Sequence, residues 1–440
     1  MIKQDNLPPL PDDKTGQLSN PRHYGIDLLR MLSMYMVCMH HVLLHGGILS
    51  GTATEPIKHN IALFFNMSAY CAVNCFALIS GYVGVKSRFK YRNLFRLWLQ
   101  AVVYTLGISL IFYFAKPGSV GLKGLVKACF PICTDAYWYL TAYTLMFFAI
   151  PQMNFILEKQ PKIKVRVFLL SFFIIFSICS LPPIINRISS IVSCGYSAIW
   201  LTYLYFVGGF IRTYGCHELF VFSVNNTCRN RIFTWIMAMF NTQWRCLALY
   251  FLCILLTFLI YTEGSYVASL ILKREISCSR ITHYNSPLTF FASLAFLVLF
   301  SRMRLVKWST FIQYASPLAF GVYLIHDNDL IRCYLIRGAF TDCGILPSFI
   351  LPIAIIGIPL AIYVICSVID YVRLRVFRLL GIVWQKYINH RRILQGEENM
   401  PNPSPLTFTQ GWFPTQKRLW GILGAVFSCL EIGDVTSFLW

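Results

Sequence analysis

Charge is scarce in this chain. Only 13% of its 440 residues are Asp, Glu, Lys or Arg, against 57% hydrophobic and 16% aromatic residues, and the mean hydropathy is +0.59. A soluble domain of this length could not cover so much apolar surface with so little charge, which leaves an all-α polytopic membrane protein. Acidic residues are scarcer still, 18 against 38 Lys and Arg. A net charge of +20 would suit nucleic acid, but the basic residues gather in short segments between apolar runs. There they set topology and meet anionic head groups, so no nucleic-acid partner is expected. The 16 Cys form no Cys-x-x-Cys pair, and most, such as Cys71, Cys179, Cys253 and Cys366, lie inside apolar runs as small core residues. Clustered histidine is also missing beyond His40, His41 and His45. The rest stand singly, which excludes the several clusters that a membrane di-iron site needs, and no metal is expected.

What the chain does have is a series of apolar runs. After residues 28 to 44 they recur near 61–83, 94–115, 137–157, 165–181, 198–212, 246–262, 286–301, 316–336 and 345–369, a bundle of about ten transmembrane helices. The opening residues are polar, rich in Pro and Asp, and lack the charged-then-apolar order of a signal peptide. Residues 1–24 therefore read as a disordered cytoplasmic tail. The loops after alternate spans carry Lys86, Arg88, Lys90, Arg92 and Arg96; Lys159, Lys162, Lys164 and Arg166; Arg302, Arg304 and Lys307; and Arg373, Arg375 and Arg378. The positive-inside bias then puts both termini in the cytoplasm, with Arg30 near the cytoplasmic end of the first span and His41 towards the far side. Lys116, Lys123 and Lys127, in the loop after the third span, run against that bias.

The first span is unusual because it carries ionisable groups. A charge near mid-span costs roughly 2.5–3.5 kcal/mol on insertion scales, so such groups seldom face lipid. Arg30 and His41 are eleven positions apart, which places them within about 20° of one another and ~16 Å apart along the axis. Asp27, Met34 and His45 share that stripe, whereas His40 points about 100° away from His41. Asp27 and Arg30, spaced i, i+3, also fit a plain neutralising pair.

Several stretches resemble the acyltransferase-3 family of bacterial integral membrane acyltransferases, in particular its surface-polysaccharide O-acetyltransferase branch. GIDLLRMLSMYMVCMHHVLLHGG contains that family's Arg-x10-His pattern as Arg30 and His41. NCFALISGYVGVKSRFKYRNLFRLW, from Asn74 to Trp98, resembles its second signature. YWYLTAYTLMFFAIP from Tyr137, HYNSP from His283 and SPLAFGVYLIHDNDLIR from Ser316 are similar to further motifs. Two departures stand out. Many relatives have two arginines separated by two residues where Arg92 and Arg96 are separated by three, and Asp327 stands after His326 where many have Glu.

The resemblance implies a family domain over 25–372, followed by a basic cytoplasmic segment and tail over 373–440 to which no role is assigned. It implies a multi-pass protein of the bacterial inner membrane with acetyl-CoA, or another acyl-CoA, as donor substrate and no bound cofactor. The acceptor implied is a cell-surface polysaccharide or its lipid-linked precursor. Such a transfer needs a base for a sugar hydroxyl, and His41 is the candidate, with His326 and Asp327 as further catalytic candidates. Arg30, Arg92 and Arg96 are the candidates for the donor's phosphates. A transporter or flippase for a polysaccharide intermediate is the alternative, since it too would have about ten spans and buried charge.

Overall fold

The computed structural model describes residues 22–87, 89–181, 190–220, 238–273 and 278–394. The expected tails, apart from Arg22, His23 and Tyr24 at one end and 373–394 at the other, lie outside these, as does Arg88. The described residues are helical, with no strand among them. The apolar runs expected from the sequence fall largely on helix, and among the described residues seven helices are long and apolar enough to cross a membrane, against the ten or so spans expected. The chain is thus an all-α polytopic membrane protein.

The first half contributes α1 (Tyr24–Leu44), the short α2 (Ile48–Gly51), α3 (Pro56–Ala69), α4 (Cys71–Gly84), α5 (Tyr91–Ala115), α6 (Leu122–Ala128), α7 (Trp138–Lys159) and α8 (Lys162–Phe173). The second half follows with α9 (Ala198–Tyr214), α10 (Gln243–Leu259), α11 (Ser265–Leu272), α12 (Pro287–Ser301), α13 (Ser309–Ala315), α14 (Ala319–His326), α15 (Asp329–Ile331) and α16 (Leu351–Leu394). Local chemistry marks the ends. Pro56 and Pro287 open α3 and α12 in the first turn, where the missing N–H costs nothing. Ser197 and Thr242 cap α9 and α10 by accepting from Trp200 N and Arg245 N. The first span ends where Gly47 takes a φ of +91°, a turn that side-chain-bearing residues rarely make.

Burial separates inner from outer helices. The most apolar stretch of α1 is 72% buried and that containing α12 is 78% buried, but that of α16 only 17%, so α1 and α12 are central while α16 shows most of its surface outward. The first span packs against α3, α4, α12, α14 and α16. Large apolar side chains such as Ile111, Phe114, Phe148 and Leu270 are exposed, as lipid-facing residues should be. The closest crossing is α4 on α9. A Cβ at Gly81 would lie 1.8 Å from the Tyr205 carbonyl oxygen, and one at Gly208 2.1 Å from that of Leu78. Small residues at such contacts let two backbones approach, the usual way for helices to associate in lipid.

The end of α1 is clasped from across the bundle. Gly338 N donates to His45 O at 3.0 Å and Phe340 N to Gly46 O at 2.8 Å. Lys58 donates to Gly344 O at 3.0 Å and to Glu55 at 2.9 Å, which pins the same segment to α3.

The Gly81 contact gives a first prediction. Gly81→Ala must force α4 and α9 apart, at a typical overpacking cost of about 1–3 kcal/mol, whereas Gly107→Ala meets open space. Thermal unfolding of the purified protein should drop for Gly81→Ala and stay level for Gly107→Ala. Equal melting of the two would refute the close crossing.

Candidate functional site

The polar stripe of α1 resolves into two clusters at its two ends. Near the start, Arg30 Nη1 donates to Asp27 Oδ1 at 2.7 Å and approaches Ser316 Oγ at 3.4 Å, while Arg22 Nε donates to Asp27 Oδ2 at 2.7 Å. Asp27 and Arg30 are both buried. The neutralising pair is therefore real, yet it does not use up the arginine, since Arg30 Nε is buried without a hydrogen-bond partner among the described residues.

Near the far end, His41 Nδ1 lies 3.5 Å from Asp327 Oδ1, just beyond hydrogen-bond length, and its ring is 5.1 Å from that of His326. The same Asp327 oxygen accepts from Arg332 Nη1 at 2.8 Å, and Arg332 also grips Asp329. The carboxylate is thus held in place by the arginine and presented to one nitrogen of the imidazole. That arrangement favours a proton on Nδ1 and a lone pair on Nε2, the form in which an imidazole accepts a proton. His326 is held by Nδ1 on Val322 O at 2.6 Å, with Nε2 buried and without a hydrogen-bond partner among the described residues. His45, just beyond α1, is held below its usual pKa by burial first and then by Arg332 and Arg337.

His40 and His41 diverge as helical geometry requires. His40 Nδ1 bonds Asn66 Oδ1 at 2.8 Å and its ring leans on Tyr70 at 4.9 Å, an anchor between α1 and α3. Both histidines border a narrow cavity of about 30 Å³, partly open at one side. Asp327 lines it too, and its walls are aromatic, including Tyr70, Trp138, Tyr139, Tyr284 and Tyr323.

The structure does not gather the six candidates into one place. His41, His326 and Asp327 stand together, and Arg30 stands with Asp27 and Ser316 at the other end. Arg92 and Arg96 lie on the first two turns of α5, partly buried. Spacings of three and four both return to one helix face, so the extra residue between them leaves them on a shared side.

Sequence reasoning missed the cavity walls and their support. Asn74, fully buried in α4, donates to Tyr284 O at 2.7 Å and accepts from Trp200 Nε1 at 3.1 Å, which locks Tyr284 against the cavity. Asn285 donates to Phe176 O at 2.7 Å and to Ser180 Oγ at 3.0 Å. The available signal was an Asn inside an apolar run, which is costly unless it has partners. Ser316 and Arg332 lay inside a quoted motif, but nothing in their spacing pointed to α1.

Fold and site together define an integral membrane protein that buries an imidazole–carboxylate pair beside an aromatic cavity. The model of the acyltransferase domain family Acyl_transf_3 matches residues 23–370, and the chain belongs to that family. It is a membrane acyltransferase. No curated protein and no solved structure matches the chain.

The buried pair at the start of α1 sets a test. Asp27→Asn leaves Arg30 without its counter-charge, and breaking a buried pair from one side costs about 3–5 kcal/mol. The unfolding temperature should fall clearly, and Asp27→Asn combined with Arg30→Gln should recover part of the loss. No change in the single variant would show that the pair carries no weight.

Proposed function

We propose that the protein moves an acetyl or related acyl group from a cytoplasmic acyl-CoA to a hydroxyl of a cell-surface polysaccharide or its lipid-linked precursor, in a bacterial inner membrane with both termini cytoplasmic. The observation that carries this reading is the pairing of His41 with Asp327 on the cavity wall, on the same helix that holds Arg30 three turns away. The donor is a polyanion that cannot cross lipid. Its phosphates find Arg30, whose Nε is unspent, and the basic start of α5 with Arg92 and Arg96. An extended pantetheine arm spans the ~16 Å of α1 between Arg30 and His41 and so brings the thioester to the acceptor.

In the transfer, His41 Nε2 takes the proton of the acceptor hydroxyl as its oxygen attacks the thioester carbonyl. The bond from carbonyl carbon to sulfur breaks, and the proton passes to the departing thiolate, so that ester and free thiol leave. Asp327, 3.5 Å from Nδ1, steadies by its charge the imidazolium that forms between the two steps. Arg332 keeps that carboxylate in place. His326, with a free Nε2 at the same spot, stands as a second proton acceptor beside it.

His41→Gln keeps a polar side chain but cannot carry the proton, so transfer should fall by about 10²–10⁴-fold with donor binding retained. His40→Ala should act chiefly on stability, through Asn66. In the wild type the rate should decline at acidic pH, because a protonated His41 is no longer a base. Near-normal transfer by a folded His41→Gln preparation, measured with labelled acetyl-CoA and membrane glycolipids, would remove His41 from the role.

Arg30→Lys preserves charge but loses the planar fork. Donor affinity should weaken, and the difference should persist in salt that screens exposed charges. Unchanged affinity would leave Arg30 only its Asp27 pairing.

A further inference from the structure

One buried carboxylate has no part in the chemistry above. Asp370, on α16, is wholly buried, and its Oδ1 accepts from Tyr104 OH at 2.5 Å, Arg373 Nε at 2.7 Å and Gln100 Nε2 at 3.4 Å. Its Oδ2 is buried with no hydrogen-bond partner among the described residues. A carboxylate inside an apolar bundle is costly, and one with an unsatisfied oxygen is more so. Where such groups are kept, fixing the register of helices is their best-attested use.

The surroundings of Asp370 show which helix it registers. A Cβ at Gly321 would stand 2.1 Å from Asp370 Cγ, 2.3 Å from its Oδ1 and 2.6 Å from its Cβ. The carboxylate therefore occupies the space of a side chain at 321, and the α14 backbone rests directly on it. Tyr104 and Gln100 hold the same group from α5, and Arg373 holds it from the next turn of α16. Three helices meet at one side chain.

From Gly321 the helix α14 runs unbroken to the site. His326 Nδ1 donates to Val322 O at 2.6 Å and Asp327 N to Tyr323 O at 3.1 Å. Asp327 lies six residues beyond Gly321, ~9 Å along the helix. A stretch bonded in this way moves as one piece, so a displacement at Gly321 is delivered to Asp327, whose approach to His41 is already 3.5 Å. Because α16 packs on α1 as well as on α14, both partners of that approach are placed by the same helix.

We infer that Asp370 is a positioning residue for acyl transfer: seated in the Gly321 notch, it sets the height and rotation of α14 and so keeps Asp327 opposite His41. This rests on the pairing of His41 with Asp327 read above and adds what holds it.

The test reads position and rate separately. Position is read in a Cys-depleted protein in lipid nanodiscs, with His41→Cys and Asp327→Cys bridged by a short bifunctional methanethiosulfonate. Gly321→Ala forces a Cβ against the carboxylate, whereas Asp370→Ala with Arg373→Gln empties the notch without leaving an unpaired buried charge. Each should slow bridging about ten-fold, because ångström-scale misplacement weighs heavily on a proximity-driven reaction. Gly107→Ala, which meets open space, should not slow it. Rate is read as acyl transfer by protein that keeps His41, Asp327 and its cysteines. There the same changes should lower kcat about ten-fold with donor KM unchanged, the scale of a lost supporting contact. In an Asp327→Asn background they should lower it no further. Tyr104→Phe removes one hydrogen bond and little volume, so it folds readily and should give smaller effects of the same sign in both readouts. Bridging untouched by all three changes, or losses of kcat that multiply with that of Asp327→Asn, would overturn the role. Slower bridging together with normal transfer by Asp327→Asn would sink the catalytic reading of the pair and uphold Asp370 as the group that places α14.

Discussion

A charge inside an apolar bundle has to meet its opposite there, because neither lipid nor water is at hand to stabilise it. In this protein that requirement shapes one seam above all, where α1 lies beside the segment from Ser316 to Arg332. Arg30 meets Asp27 and Ser316, and His41 meets Asp327, itself held by Arg332. The two halves of the seam keep the same spacing, since Ser316 and Asp327 are eleven residues apart, as are Arg30 and His41. Two neighbouring helical stretches that run in register can tie both ends of one site with a single relative position.

This registry makes the two ends dependent on each other. A slide of one helical turn, ~5.4 Å, would part Arg30 from Ser316 and His41 from Asp327 together. The clasp of Gly338 and Phe340 on His45 and Gly46 opposes such a slide beyond the last turn of α1. At the other end, Gly25 fits against the Phe300 carbonyl, where a Cβ would lie only 2.1 Å away. The first span is therefore fixed axially at both ends by backbone contacts that tolerate no extra atom.

Much of this was legible in the sequence, and the boundary has a physical reason. Helical periodicity is local, so the stripe of Asp27, Arg30 and His41 and the divergence of His40 follow from counting residues. The apolar runs likewise foretold where helices lie. Contacts between helices are set by packing over long sequence distances, and composition holds no record of them. Asp327 was visible as a carboxylate beside a histidine, but its place opposite His41 Nδ1 needed the fold. So did Asn74 under Tyr284, and the loop of Ser193 to Tyr196, whose bend comes from left-handed residues that no periodic pattern marks.

The length of α16 has its own consequence. Its 44 residues make a rod of ~66 Å, against a hydrocarbon layer of about 30 Å. Partway along it the buried Asp370 carboxylate is bound by Tyr104 at 2.5 Å and Arg373 at 2.7 Å as a collar. From Arg378 to Leu394 the helix then continues for ~24 Å. The helix is thus more than twice as long as the hydrocarbon layer is thick, and Asp370 ties it to α5 partway along that length.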